Sequence, residues 1–169
     1  MNRFVNNLVG TFALAVSDAL SRSVTDVAGH SGALGAAVSY LAQEPDCGIE
    51  DLREPLGLSQ PAAVRLVNQL VEGGLATRSG DARDGRRVRI RLTSSGAELA
   101  QSILRSRREA VDVAVSTLSA EEQRKLGVLL SKMLGGMTAD RAQAERLCRL
   151  CDLRACPTAR CPVEASLAP

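Results

Sequence analysis

Apolar residues recur along this chain with two periods, and each change of period predicts a change of element. From Asn2 to about Ala28, the residues Phe4, Leu8, Phe12, Ala15 and Ala19 fall at helical spacing, with Val5, Val9 and Val16 widening the stripe. So broad an apolar face at a terminus predicts a long helix covered by a partner, or else by the remainder of its own chain. After a break at His30, Ser31 and Gly32, Ser31 can cap a helix to about Gln43 with Leu34, Ala37, Val38 and Leu41 inward. Glu44 to Gly48 reads as a loop. A short helix from Ile49 is closed by Gly57, and Ser59 can cap the next one. Pro61 falls in the first turn of that helix, where a missing N–H costs nothing. Val64, Val67, Leu70 and Val71 mark its expected inner face, and Gly73-Gly74 ends it. A strand then starts over Leu75 to Arg78, and the period drops to two: Val88, Ile90 and Leu92 alternate with Arg87, Arg89 and Arg91 beyond a turn at Asp84-Gly85. Helical spacing returns from Thr93 to about Leu118. It resumes after a Ser119/Glu122 capping signature, running to Gly135-Gly136 through Leu126, Leu129, Leu130, Met133 and Leu134.

This order predicts a mostly α fold with a small β-hairpin wing. A short helix, a turn, a second helix and a basic hairpin form a device for reading double-stranded DNA. On the second helix Ser59, Gln60, Ala62, Arg65, Asn68 and Gln69 are left for the outer faces. Arg65 can pair with guanine and Gln60 with adenine, each in a bidentate way. The net charge of the 169-residue chain is only +2, but Arg78, Arg83, Arg86, Arg87, Arg89 and Arg91 crowd the hairpin against Asp81 and Asp84. That local density is what phosphates require. Aromatic residues make up 2% of the chain and Trp is absent, which argues against stacking platforms for single strands. No continuous apolar run of membrane-spanning length and no secretory leader are evident, so a cytoplasmic protein is expected. No nucleotide-binding glycine motif or catalytic constellation can be placed, so an enzyme is not expected.

The motifs Ser-Gln-Pro-Ala-Ala-Val-Arg-Leu-Val (59–67), Gly-Gly-Leu-Ala-Thr-Arg (73–78), Asp81-Ala-Arg83-Asp84-Gly-Arg86 and Arg-Leu-Thr-Ser-Ser-Gly (91–96) resemble those of the MarR family of bacterial transcription regulators. The resemblance covers roughly Asn2 to Met137. It implies a winged helix-turn-helix that dimerises through its N- and C-terminal helices, binds a pseudo-palindromic operator and often acts as a repressor. It also implies that Arg86 enters the minor groove, braced by Asp84, and that a small aromatic effector can lodge between the dimer helices and the winged domain. The family often has Ser or Thr where this chain has Ala62 and Val64. The expected divisions are 1–30 for the N-terminal dimerisation helix, 31–92 for the DNA-binding domain, 93–136 for the C-terminal dimerisation helices and 137–169 for the tail.

The tail carries Cys148, Cys151, Cys156 and Cys161, a C-x2-C-x4-C-x4-C run able to supply a complete tetrahedral thiolate shell. The spacing resembles a zinc knuckle of the retroviral type, with Cys for its His but without its aromatic and glycine residues. One metal centre per chain is expected, zinc first. An iron–sulfur cluster is the alternative, because Cys156 and Cys161 each precede a proline, and a disulfide switch is third. The centre either staples the tail or senses a signal. A cluster would also admit a different function, electron transfer on a winged-helix scaffold, and an adaptor that binds no DNA is a further alternative. Cys47 stands apart and reads as a small buried thiol rather than a sensor, with Asp46 and Glu44 opposing thiolate formation. His30, the sole histidine, reads as an ordinary polar residue rather than an effector ligand or pH switch.

Overall fold

In the computed structural model, residues 2–28, 32–45, 47–80, 88–153, 155–156 and 158–167 are described. The helices are α1 (Arg3–Ala28), α2 (Gly32–Gln43), α3 (Ile49–Leu56), α4 (Gln60–Glu72), α5 (Ser94–Val115), α6 (Ala120–Met137), α7 (Arg141–Cys148) and the short α8 (Pro162–Ala165). Strands β1 (Ala76–Gly80) and β2 (Val88–Leu92) lie between α4 and α5, and a single 3-10 turn covers Thr158–Arg160. The strands pair antiparallel, in a register that sets Ala76 opposite Leu92 and Arg78 opposite Ile90. Fold class and element order through α6 therefore agree with the sequence, whereas α7, the 3-10 turn and α8 in the tail are not among the elements expected from it. Ser31 and His30 lie outside the described residues.

The main core is built from Leu34, Ala37, Val38 and Leu41 of α2, Leu52 of α3, Leu66, Val67 and Leu70 of α4, Ile90 of β2, and Ala100 and Ile103 of α5. Val24, near the end of α1, completes it. Each helix start has a chemical cause. Asn2 Oδ1 accepts from the N–H groups of Phe4 and Val5 at 3.1 and 3.3 Å, opening α1. Thr93 Oγ1 accepts from Gly96 N–H at 3.1 Å, and Ser119 and Glu122 form the expected capping box.

Most of α1 stands clear of this core. Phe4, Leu8, Phe12 and Leu14 are exposed, Phe4 to 70% and Leu14 to 69%. Contrary to the sequence expectation, Arg3–Asp26 is long and apolar enough to cross a membrane, and its apolar window is unburied in this chain. The expectation missed it because polar residues such as Asn, Ser and Asp interrupt every run, whereas a window average sums over them. On α6, Val128, Leu129, Leu130 and Met133 are likewise exposed.

The tail is folded onto the body. Ala144, Cys161 and Val163 form a second apolar cluster with Leu134, Leu147, Cys148, Cys156 and Leu167. Helix α7 packs on α3 and α8 on α6. Asp140 caps α7 by accepting from Gln143 N–H at 2.7 Å, and Arg141 holds Glu164 of α8 at 2.7 and 2.9 Å.

Candidate nucleic-acid interface

Two left-handed glycines shape the helix-turn-helix. Gly57, at φ 62°, reverses the chain after α3, and Leu58 N–H then reaches back to Arg53 O at 2.9 Å. Asp51 holds the other end of α3 by accepting from Gly48 N–H at 2.7 Å. Gly74, at φ 67°, does the same after α4, with Leu75 N–H bonded to Leu70 O at 2.9 Å. At the N-terminus of α4, Ser59, Gln60 and Pro61 are exposed.

At that end Ser59, Gln60 and Arg65 are exposed and Ala62 is half-buried. Ser59 occupies the cap position with extended backbone, as expected, but its hydroxyl makes no capping hydrogen bond. The buried face of α4 is Ala63, Leu66, Val67 and Leu70. Val64 and Val71, assigned inward by the sequence, are only half-buried. The reason is rotational: Ala63 and Leu66 share the face of Val67 and Leu70 at spacings of three and four, and placing two valines inward turns the helix away from that line.

Asn68 has a structural partner. Its amide oxygen accepts a short hydrogen bond from Nη2 of Arg78 on β1, which ties α4 to the base of the wing. By sequence Asn68 is left for an outer, DNA-facing side of α4, and Arg78 has no role of its own beyond the hairpin's charge. The signal for Arg78 was its place just after the helix-ending glycines, where a long donor can reach back across ten residues. Thr93 makes a second tie, donating to Gly74 O at 2.7 Å while it caps α5.

Arg89 is half-buried beside a cavity that it lines together with Glu44, Glu50, Asp51, Glu54 and Glu145. The cavity sets Arg89 beside carboxylates, on the strand face that alternation leaves to solvent or phosphate. Ile90 is buried and Leu92 half-buried, as expected, while Val88 is exposed at the far end of β2. Arg83, Asp84, Arg86 and Arg87 lie outside the described residues. Cys47 is buried and lies in an isolated bridge with β2, where Ile90 N–H donates to Cys47 O at 2.9 Å. Burial, then the carboxylate of Asp51, pushes its thiol up to about 12, so the buried-thiol expectation holds; Asp46 is outside the described residues.

The four tail cysteines converge. All line one cavity of about 320 Å³ whose wall includes Tyr40, Gln43 and Glu44 from the end of α2. The Cys148 thiol neighbours those of Cys151 and Cys161, and the Cys156 thiol neighbours that of Cys161. Burial first, then the neighbouring thiols, raises Cys148 to about 12 and shifts Cys156 upward as well. None of the described cysteines is in a disulfide. Among the described residues no group of three or more His, Cys, Asp or Glu is placed so that it could hold a metal ion, so coordination by the four cysteines requires their side chains to move.

Residues 35–87 match the model of the MarR family. An uncharacterised HTH-type transcriptional regulator of Bacillus subtilis, YwhA, is 27% identical over 99 residues, 59% of this chain and 71% of that protein. MepR of Staphylococcus aureus, solved as a DNA complex, aligns with TM-score 0.59 and 26% identity over 75% of this chain and 96% of its own. Rv1404 of Mycobacterium tuberculosis aligns with TM-score 0.69 and 18% identity over 82% of this chain and 95% of its own. The chain thus has the winged helix-turn-helix fold of these proteins, and its segment 35–87 is similar to the MarR family domain.

Proposed function

We propose that this chain is a DNA-binding transcription regulator of the MarR type that works as a homodimer, most simply as a repressor, in the cytoplasm. One observation carries this reading: Ser59, Gln60 and Arg65 at the N-terminal half of α4 are exposed, while Ala63, Leu66, Val67 and Leu70 of the same helix are buried in the core. Unsatisfied N–H groups at that end suit a phosphate, while Arg65 and Gln60 suit base edges. The Asn68–Arg78 tie joins α4 to β1 at the base of the wing; by the family resemblance, Arg86 braced by Asp84 would enter the minor groove, and Arg83 and Arg87 would meet phosphates. The exposed apolar faces of α1 and α6 supply the dimer contact, and a two-fold pair of α4 helices calls for a pseudo-palindromic operator. The relatives named above support this reading.

The tail cysteines would hold one metal centre per chain. Four thiols lining one cavity favour a single ion, because a tetrahedral zinc–thiolate shell sets sulfurs only about 3.8 Å apart. The direct test is a gel shift of the full chain against a duplex selected from a random-sequence library. Arg86→Ala should weaken binding at least ten-fold at moderate salt. Unchanged affinity would overturn the wing assignment, and failure to select any duplex would overturn the DNA-binding reading.

A further inference from the structure

The thiol cluster and the helix-turn-helix are mechanically joined. Cys148 is the last residue of α7, and α7 packs along α3, the first helix of the helix-turn-helix. Two residues before Cys148, Arg146 donates to Glu54 of α3 at 2.7 Å. Ala144, one turn earlier, is buried. On the other side of the cluster, Asp152 follows Cys151 and lies 3.6 Å from Arg108 of α5, the helix that leaves the wing. The cavity wall reaches the end of α2, which also packs on α3.

We propose that this cluster is a regulatory zinc site whose occupancy sets the position of α3, and through it the readiness of α4 to enter DNA. The inference rests on the DNA-binding reading for its functional consequence, but not for the coupling of the site to α3. In the balanced step, one zinc ion binds four thiols, four protons leave to solvent, and the four sulfurs close around the ion at about 2.3 Å. Neighbouring protonated thiols hold one another only weakly, whereas a shared ion would tie them by coordinate bonds. Closing the shell turns the Cys148 side chain inward and pins that turn. Because α7 is docked on α3, pinning one orders the other. An α3 that is already ordered adds less to the entropy cost of DNA binding, so the loaded form binds more tightly.

The test uses the full chain under reducing, oxygen-free conditions, stripped by a chelator or given one equivalent of zinc(II). It reads bound zinc, hydrogen exchange at the amides of Leu52 to Glu54, and affinity for a duplex selected from a random library. One zinc per chain, at least ten-fold slower exchange in α3 and at least ten-fold tighter DNA binding are expected. Glu54→Gln and Arg146→Ala should each keep the zinc and lose much of both effects. Failure to bind zinc overturns the site. Zinc binding with exchange and affinity within two-fold of the stripped protein overturns the coupling. Zinc-dependent protection of α3 in a protein that selects no duplex supports the coupling and sinks the DNA-binding reading instead.

Discussion

Gly96 offers a sharp test of how the wing is joined to the helices. It is buried in the first turn of α5, against the strand entry. A Cβ there would lie 2.0 Å from the carbonyl oxygen of Leu75, 3.0 Å from its carbonyl carbon and 3.1 Å from Leu92 Cδ2. An ordinary carbon–oxygen contact is about 3.3 Å, so more than an ångström of room must be found. The Leu75 carbonyl cannot simply swing aside, because it accepts from Thr93 N–H at 3.0 Å. Overpacking costs about 1–3 kcal/mol in general, and a backbone obstacle places Gly96→Ala at about the upper end. Alanine returns roughly 1 kcal/mol of helix propensity, which leaves a net loss of about 2 kcal/mol. For a chain of this size that lowers Tm by about 4–8 °C. Thermal unfolding followed by far-ultraviolet circular dichroism measures it. Gly35→Ala is the internal comparison: its Cβ meets Val24 Cγ1 at 2.4 Å, an obstacle on a side chain rather than on backbone, and a smaller drop is expected. A Gly96→Ala protein that melts at or above the parent temperature would refute the close approach of Leu75 to α5.

Arg65→Ala should cost about 1–3 kcal/mol of binding to the selected duplex but little to unselected DNA, since it removes a base contact and not a phosphate contact; equal losses on both, measured by fluorescence anisotropy, would make Arg65 a phosphate ligand. Arg78→Ala should weaken binding through misplacement of the wing while α4 remains intact, and unchanged affinity would show that the Asn68–Arg78 tie is dispensable. Cys47 and Tyr40 are raised to about 12 from 9.0 and 10.0, in both cases chiefly by burial, so the folded state keeps protons that the unfolded chain has lost. Their stabilising contribution is complete below about pH 9 and falls as pH climbs toward 12, which urea midpoints across that window should follow, with Cys47→Ala flattening part of the slope. Phe12→Asp on the exposed face of α1 should shift the chain toward monomer in analytical ultracentrifugation; a dimer of unchanged strength would move the interface elsewhere.

Much of the fold could be read from residue order alone. Element identity followed from periodicity, and helix ends followed from local chemistry: Gly57 and Gly74 in left-handed turns, Thr93 capping α5, Ser119 with Glu122 opening α6. Such signals act within four residues and are therefore written in the sequence itself. The four large inward residues of α2 were legible from their helical spacing, although Gly35, Ala36 and Ser39 are buried as well because α2 is enclosed on nearly every side. On α4 the choice lay between Ala63 and Val64, and only the position of the neighbouring helices decided it. Arg89 faces carboxylates, although strand alternation could show only that it and Ile90 point oppositely. Asn68 meets Arg78 because two elements cross at a particular angle. In the tail, cysteine spacing showed that four thiols could meet. That they meet against α2, with α7 resting on α3, depends on packing between segments about ninety residues apart, and contacts at that range are set by the complementarity of whole surfaces.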